Sequence, residues 1–161
     1  MFEGKRRLFP QVSSARLVLL FSLALVLFYN FATWRALNSL VPMEGLWGVA
    51  FFASFGLFLW AAFTLLLTLV SFRPLLKPAL TLVALVSAAA AYFMNTYGVV
   101  IDTVMVQNVI ETNPGEAAAL FSLRMVVYLV LLGVLPAAII WLTPVGYSPF
   151  FRGLLNKVLV I

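Results

Sequence analysis

Three carboxylates, Asp102, Glu111 and Glu116, stand with Gln107, Asn108, Thr112 and Asn113 in the stretch Asn95–Ala117, which reads NTYGVVIDTVMVQNVIETNPGEA. They are three of the chain's five acids, set in a sequence otherwise built from Leu, Val, Ala and Phe. Such a set can pair a carboxylate with an ammonium group and offer amide and hydroxyl donors to phosphate or glycerol oxygens. A zwitterionic lipid headgroup carries both partners. A hard cation is a poorer match, since Ca²⁺ takes six to eight oxygens from a tighter run of ligands.

Other chemistries are excluded by residue type. There is no His and no Cys. The nitrogen- and sulfur-rich zinc sites, the Ser-His-Asp and Cys-His nucleophile pairs and any disulfide are therefore ruled out within these residues. No Gly-rich phosphate loop of the Walker or dinucleotide type occurs. No internal repeat pairs two halves as in many secondary transporters. No predicted span has a charge at its middle, the usual mark of an ion or proton path. The net charge of +5 does not gather into a nucleic-acid-binding surface.

The elements that must position this polar stretch are membrane helices. The chain has 161 residues, 65% hydrophobic and 9% charged, with a mean hydropathy of +1.13. Soluble domains carry roughly 25% charged residues, so too little charge is present to cover a water-exposed surface. A helix needs about 20 mostly apolar residues to cross the hydrocarbon core. Four runs approach or meet that length: Leu17–Phe31, Leu46–Phe72, Ala79–Phe93 and Met125–Leu142. The third contains Ala88, Ala89, Ala90 and Ala91, small residues that admit close neighbours and place this helix inside the bundle. The fourth contains Gly133 and Pro136, tolerable where a neighbour satisfies the freed carbonyl. A fifth run opens at Leu154 and stops at Ile161. It reads as a longer protein cut within its fifth helix, with a short interfacial tail as the alternative. The expected fold is an all-α polytopic membrane helix bundle: four transmembrane helices plus the start of a fifth, with a connector of short amphipathic helices.

Charge orients the bundle. If the helices alternate, Lys5, Arg6, Arg7, Arg16, Arg73, Lys77, Arg152 and Lys157 share one side. Arg35 and Arg124 share the other with Glu44, Asp102, Glu111 and Glu116. The excess of Lys and Arg marks the cytoplasmic face, so the N-terminus is expected there and residues 95–121 outside. No small-x-small cleavage site follows the first run, which is expected to remain as an anchor. Trp34, Trp47 and Trp141 fall near helix ends, as interfacial belts do, whereas Trp60 sits mid-helix without a reason at this level.

Within the connector, Gly98 suits a C-terminal cap and Asp102 can cap a helix running to about Thr112. Met105, Val106, Val109 and Ile110 share one helical face; Asn108, Glu111 and Thr112 share another. Asn113-Pro114-Gly115-Glu116 reads as a fresh helix start. Asp102 and Asn113 read first as caps. Glu116 serves a capping box, a ligand role, or both. Arg124 reads as a snorkelling anchor ahead of a phosphate ligand.

The pattern Tyr97-Gly98, Ile101-Asp102, Met105, Gln107-Asn108, Glu111-Thr112-Asn113 and Glu116-Ala117 resembles the connector of the phosphoethanolamine transferases that modify lipid A, a family that includes the mobile colistin resistance enzymes. The likeness extends through the Arg73–Pro78 turn, the third helix and Leu135-Pro136. It implies that residues 1–161 correspond to the N-terminal transmembrane domain of a bacterial inner-membrane enzyme, whose periplasmic catalytic domain of the alkaline phosphatase type lies outside the chain. The implied reaction is a ping-pong transfer of phosphoethanolamine from phosphatidylethanolamine, through a threonine beside zinc in the catalytic domain, to a phosphate of lipid A. That modification confers polymyxin and colistin resistance. The family's headgroup-binding positions fall on Asn108, Thr112 and Glu116. The resemblance places the nucleophile and the zinc ligands in the absent domain, so this chain alone is expected to be inactive. Expected partners are phosphatidylethanolamine, other membrane lipids and, through the absent domain, lipid A. A stand-alone, non-catalytic membrane adaptor and the membrane domain of a sister transferase acting on core sugars are the alternatives, and the reading frame beyond Ile161 discriminates between adaptor and transferase.

Overall fold

The computed structural model describes residues 11–41, 44–98 and 122–147. A short strand β1 (Val12–Ser13) leads into helix α1 (Ser14–Ala24), which passes into a π-helical turn at Leu25–Tyr29. Helix α2 (Phe31–Leu40) follows, then α3 (Gly45–Leu69) and α4 (Leu76–Tyr97). The last span begins as α5 (Leu123–Tyr128), loosens into a second π-helical turn at Leu129–Val134 and ends as α6 (Leu135–Leu142) before strand β2 (Val145–Gly146). Three helical stretches are long and apolar enough to cross a membrane, and the bent pair Ser14–Tyr29 with Phe31–Leu40 makes a fourth if it crosses as one span. The fold is the expected helical membrane bundle; the start of a fifth helix at Leu154 lies outside the described residues.

The first span departs from the expected run Leu17–Phe31. Ser13 starts the helix earlier by accepting the Arg16 amide on its Oγ at 3.3 Å. The helix then breaks at Asn30, and α2 leaves at 59°. Local chemistry accounts for the bend. The Asn30 side-chain amide donates to the Leu25 carbonyl at 2.9 Å, and the Trp34 indole donates back across the break to the Val26 carbonyl at 2.8 Å. Trp34 then stacks on Phe52 and meets Phe55 edge-on, with ring centroids 6.0 and 5.8 Å apart. Trp34, read as a belt residue from its position, is also a packing residue.

Helix α4 lies inside the bundle as its alanines implied. A third of its apolar window (33%) is buried, against 11% for α3 and for the last span. Leu76, Leu80, Ala84, Ala88 and Ala91 form its buried stripe at spacings of three and four. The first four pack with Leu17, Val18, Phe21 and Leu25 of the first span, Leu67 of α3 and Ile140 of α6. Lipid is as apolar as Leu, so close packing and hydrogen bonds between helices hold such a bundle. Gly133 supplies the closest approach: a Cβ there would lie 3.0 Å from Leu85 Cδ2 and 3.6 Å from the Ala88 Cβ. Trp60, unexplained by its position, donates its indole N–H to the Leu19 carbonyl at 3.1 Å, tying α3 to α1.

Pro136 has no N–H for the Leu132 carbonyl four residues earlier. The Tyr29 hydroxyl donates to that carbonyl instead, linking the first span to the last. The expectation that a neighbour would serve the freed carbonyl is met.

One end of the bundle is closed by a clasp. Val12 pairs in parallel with Val145 and Ser13 with Gly146. Lys77 Nζ donates to the Trp141 and Thr143 carbonyls at 3.0 and 2.9 Å and lies over the Trp141 ring. The Trp141 indole donates to Thr81 Oγ1 at 3.0 Å. Arg16, Arg73 and Lys77 therefore share this end, as alternating helices require. Glu44, at the start of α3, and Arg124, at the start of α5, stand at the opposite end.

Candidate functional site

At the end of the bundle away from the clasp, the polar connector leaves α4 and returns at α5. Its two stems are built from ordinary capping chemistry. Gly98 closes α4 with φ +67°, a left-handed conformation suited to a residue without Cβ, and its amide donates to the Met94 carbonyl at 3.1 Å. Ser122 opens α5 and accepts the Met125 amide on its Oγ at 3.2 Å.

Tyr92 ties the stems together. Its ring is buried, and its hydroxyl lies 2.8 Å from Ser122 Oγ. Around it, Phe93, Tyr97 and Tyr128 meet the Tyr92 ring edge-on with centroids 5.2 to 6.2 Å apart. Aromatic contacts of this type add about 0.5–1.5 kcal/mol each beyond the area they bury. The return point of the connector is thus fixed by one hydrogen bond within an aromatic cluster.

Beside the stems lies an apolar groove of about 320 Å³ between the first and last spans. Leu27, Phe28 and Phe31 form one wall, and Val127 and Leu131 the other. Asn95, one turn from the end of α4, closes it towards the connector. Asn95 Nδ2 donates to the Ala91 carbonyl at 2.8 Å, while Asn95 Oδ1 and the neighbouring Thr96 Oγ1 are buried without a hydrogen-bond partner among the described residues. A buried acceptor left unpaired costs about 1–3 kcal/mol.

The headgroup residues expected from the sequence, Asn108, Thr112 and Glu116, lie outside the described residues, as do the caps Asp102 and Asn113 and the expected amphipathic helices. What the structure adds is their frame. Sequence reasoning missed Tyr92, Ser122 and the groove. Ser122 three residues before Met125 is a capping signal that was there to be read. The groove had no such signal, because it arises from a bend. Arg124, weighed as an anchor or a phosphate ligand, is exposed in the first turn of α5.

The family profile described as phosphoethanolamine transferase EptA/EptB matches residues 59–161. The chain is 35% identical over 109 residues to the phosphatidylethanolamine transferase Mcr-2 of Escherichia coli, covering 68% of this chain and 20% of that protein. It is 35% identical over 130 residues to the phosphoethanolamine transferase EptA of Escherichia coli O157:H7, covering 81% and 24%. The chain thus matches about a fifth to a quarter of the length of these relatives. Its fold is that of the membrane portion of the integral membrane protein lipooligosaccharide phosphoethanolamine transferase A from Neisseria meningitidis. The TM-score is 0.86 at 24% identity, covering 94% of this chain and 28% of that one.

Proposed function

From the premise that this chain belongs to the phosphoethanolamine transferase EptA/EptB family, we propose that it is the lipid-binding membrane domain of an inner-membrane enzyme that moves phosphoethanolamine from phosphatidylethanolamine to lipid A. The observation that supports this most is the frame of the connector. Tyr92 and Ser122 hold its stems together beside a groove open to lipid. In this reading the polar segment between them meets phospholipid headgroups.

In this reading the end carrying Arg16, Arg73 and Lys77 is cytoplasmic and the connector periplasmic. Glu116 pairs with the ethanolamine ammonium, and Asn108 and Thr112 hydrogen-bond to phosphate oxygens. These contacts bind and orient the donor. The chain contains neither His nor Cys, so its residues do not fit the usual catalytic zinc site. In this reading the threonine nucleophile and the zinc are supplied by the transferase's catalytic domain.

The test uses the full-length protein. Glu116→Ala and Asn108→Ala should each reduce phosphoethanolamine addition to lipid A, read by mass spectrometry of extracted lipid A. Undiminished addition in both variants removes the headgroup assignment.

A further inference from the structure

The first span and α2 together pose a problem of length. From Arg16 to Leu40 an unbroken helix would measure about 36 Å, more than the roughly 30 Å of the hydrocarbon core. Its last turn would leave the hydrocarbon altogether. The 59° bend at Asn30 changes this. Inclined so, the 10 residues of α2 climb only about 8 Å along the axis of the first span, and Leu40 stays inside that thickness. The pair therefore completes its crossing obliquely. Helix α2 then lies along the boundary between hydrocarbon and headgroups, at the end away from the clasp.

The faces of α2 fit that boundary. Trp34 and Leu37 are partly buried and turn towards the bundle. Two further faces are exposed, and they differ in kind. Ala36 and Leu40, four apart, make an apolar one, with Leu40 79% exposed. Arg35, Asn38 and Ser39, three and four apart, make a polar one. Water would leave the first face unserved and hydrocarbon the second; the interface serves both. Trp47, 88% exposed in the first turn of α3, marks the same level in the next element. Arg35 carries the charge of the polar face. Its guanidinium lies over the Phe31 ring at 5.1 Å. No carboxylate pairs with it among the described residues, of which Glu44 is the one acid. The ring covers one side of the planar group and leaves the N–H donors at its edge for an oxyanion. At this depth the abundant oxyanion is lipid phosphate.

We propose that α2 is a surface helix in the headgroup layer of the leaflet opposite the clasp, and that Arg35 holds a phospholipid phosphate there. The contact fixes the depth of the bend at Asn30. It is independent of the donor reading, since it needs neither the connector nor a particular headgroup.

The test uses the full-length protein in phosphatidylglycerol bilayers, with spin labels placed singly at Asn38→Cys, Ser39→Cys and, deep in α3, Leu57→Cys. Power saturation with oxygen and a nickel chelate reads their depth. The two α2 labels should stand at the phosphate level, between the Leu57 label and free label in buffer. Labels as open to nickel as free label, or as closed to it as the Leu57 label, overturn the surface helix. Arg35→Gln should lower the melting temperature by a few degrees in these bilayers and leave it unchanged in a maltoside detergent, which has no phosphate. A loss in the detergent as large as in the bilayer would give Arg35 a partner within the protein, and no loss in either would leave it without one. Both results overturn the phosphate contact.

Discussion

The Tyr29 hydroxyl donates to the backbone carbonyl of Leu132, so a side chain of the first span serves a carbonyl that the last span's own Pro136 cannot. The two residues lie in the two π-helical turns of the described structure. Both spans lose helical regularity at the same depth, and one hydrogen bond closes the irregularity between them. Water cannot do this in hydrocarbon.

Tyr29→Phe should therefore lower unfolding stability by about 1 kcal/mol, within the range measured for hydrogen bonds between membrane helices. Pro136→Ala restores an N–H that an α-helical turn would bring to the Leu132 carbonyl. In that background the Tyr29→Phe cost should shrink towards zero, which a double-mutant cycle in mixed micelles reads directly. An equal cost in both backgrounds would show that the hydroxyl does not answer the proline.

Lys77 caps the carbonyl end of α6 from another helix, where a cation also meets the negative end of the helix dipole. Lys77→Met should cost about 0.5–1.5 kcal/mol and lower the melting temperature in detergent. Lys77→Arg should recover part of the loss. If the Met variant melts with the parent protein, the cap is not stabilising.

Gly133 lets the last span approach α4 closely at Leu85 and Ala88. Gly133→Ala meets only the mobile end of Leu85 at 3.0 Å and should be nearly neutral. Gly133→Leu must displace Ala88 and the Leu85 backbone as well, and should cost about 1–3 kcal/mol. Leu85→Ala should recover some of that cost. Equal melting of the Ala and Leu variants would mean the two helices separate freely here.

Tyr92→Phe keeps the aromatic cluster and removes the bond to Ser122. Amide exchange at Ser122–Val126 should quicken. On the proposed donor reading, a full-length transferase carrying this change should show a raised KM for the donor with kcat retained, since the change loosens binding and leaves the chemistry untouched. Exchange at the parental rate would show that the aromatic contacts alone hold the connector stem.

The parts of this fold that were legible in the sequence are those set by residues near one another in the chain. Helix spacing puts Ala84, Ala88 and Ala91 on one stripe, and Gly98 caps as a glycine at a helix end should. What was not legible depends on partners far apart. Trp60 has a reason only because Leu19 lies across from it. Trp34 looked like a belt residue because nothing local shows that the chain bends back over Phe52 and Phe55. The groove is a consequence of that bend and is invisible to hydropathy, which treats Leu27 and Leu131 as two more apolar residues. The candidate headgroup residues were readable from type and spacing, whereas the frame holding their segment needed Tyr92 and Ser122 in space.

The parallel pairing of Val12 with Val145 also has a consequence in time. A chain is made from its N-terminus at about 5–20 residues per second. Residue 12 is therefore released several seconds before residue 145, and its backbone waits without its partner while every intervening helix enters the bilayer. The ladder can close only after α6 has been inserted. A chain arrested earlier in biosynthesis leaves its first strand without this partner.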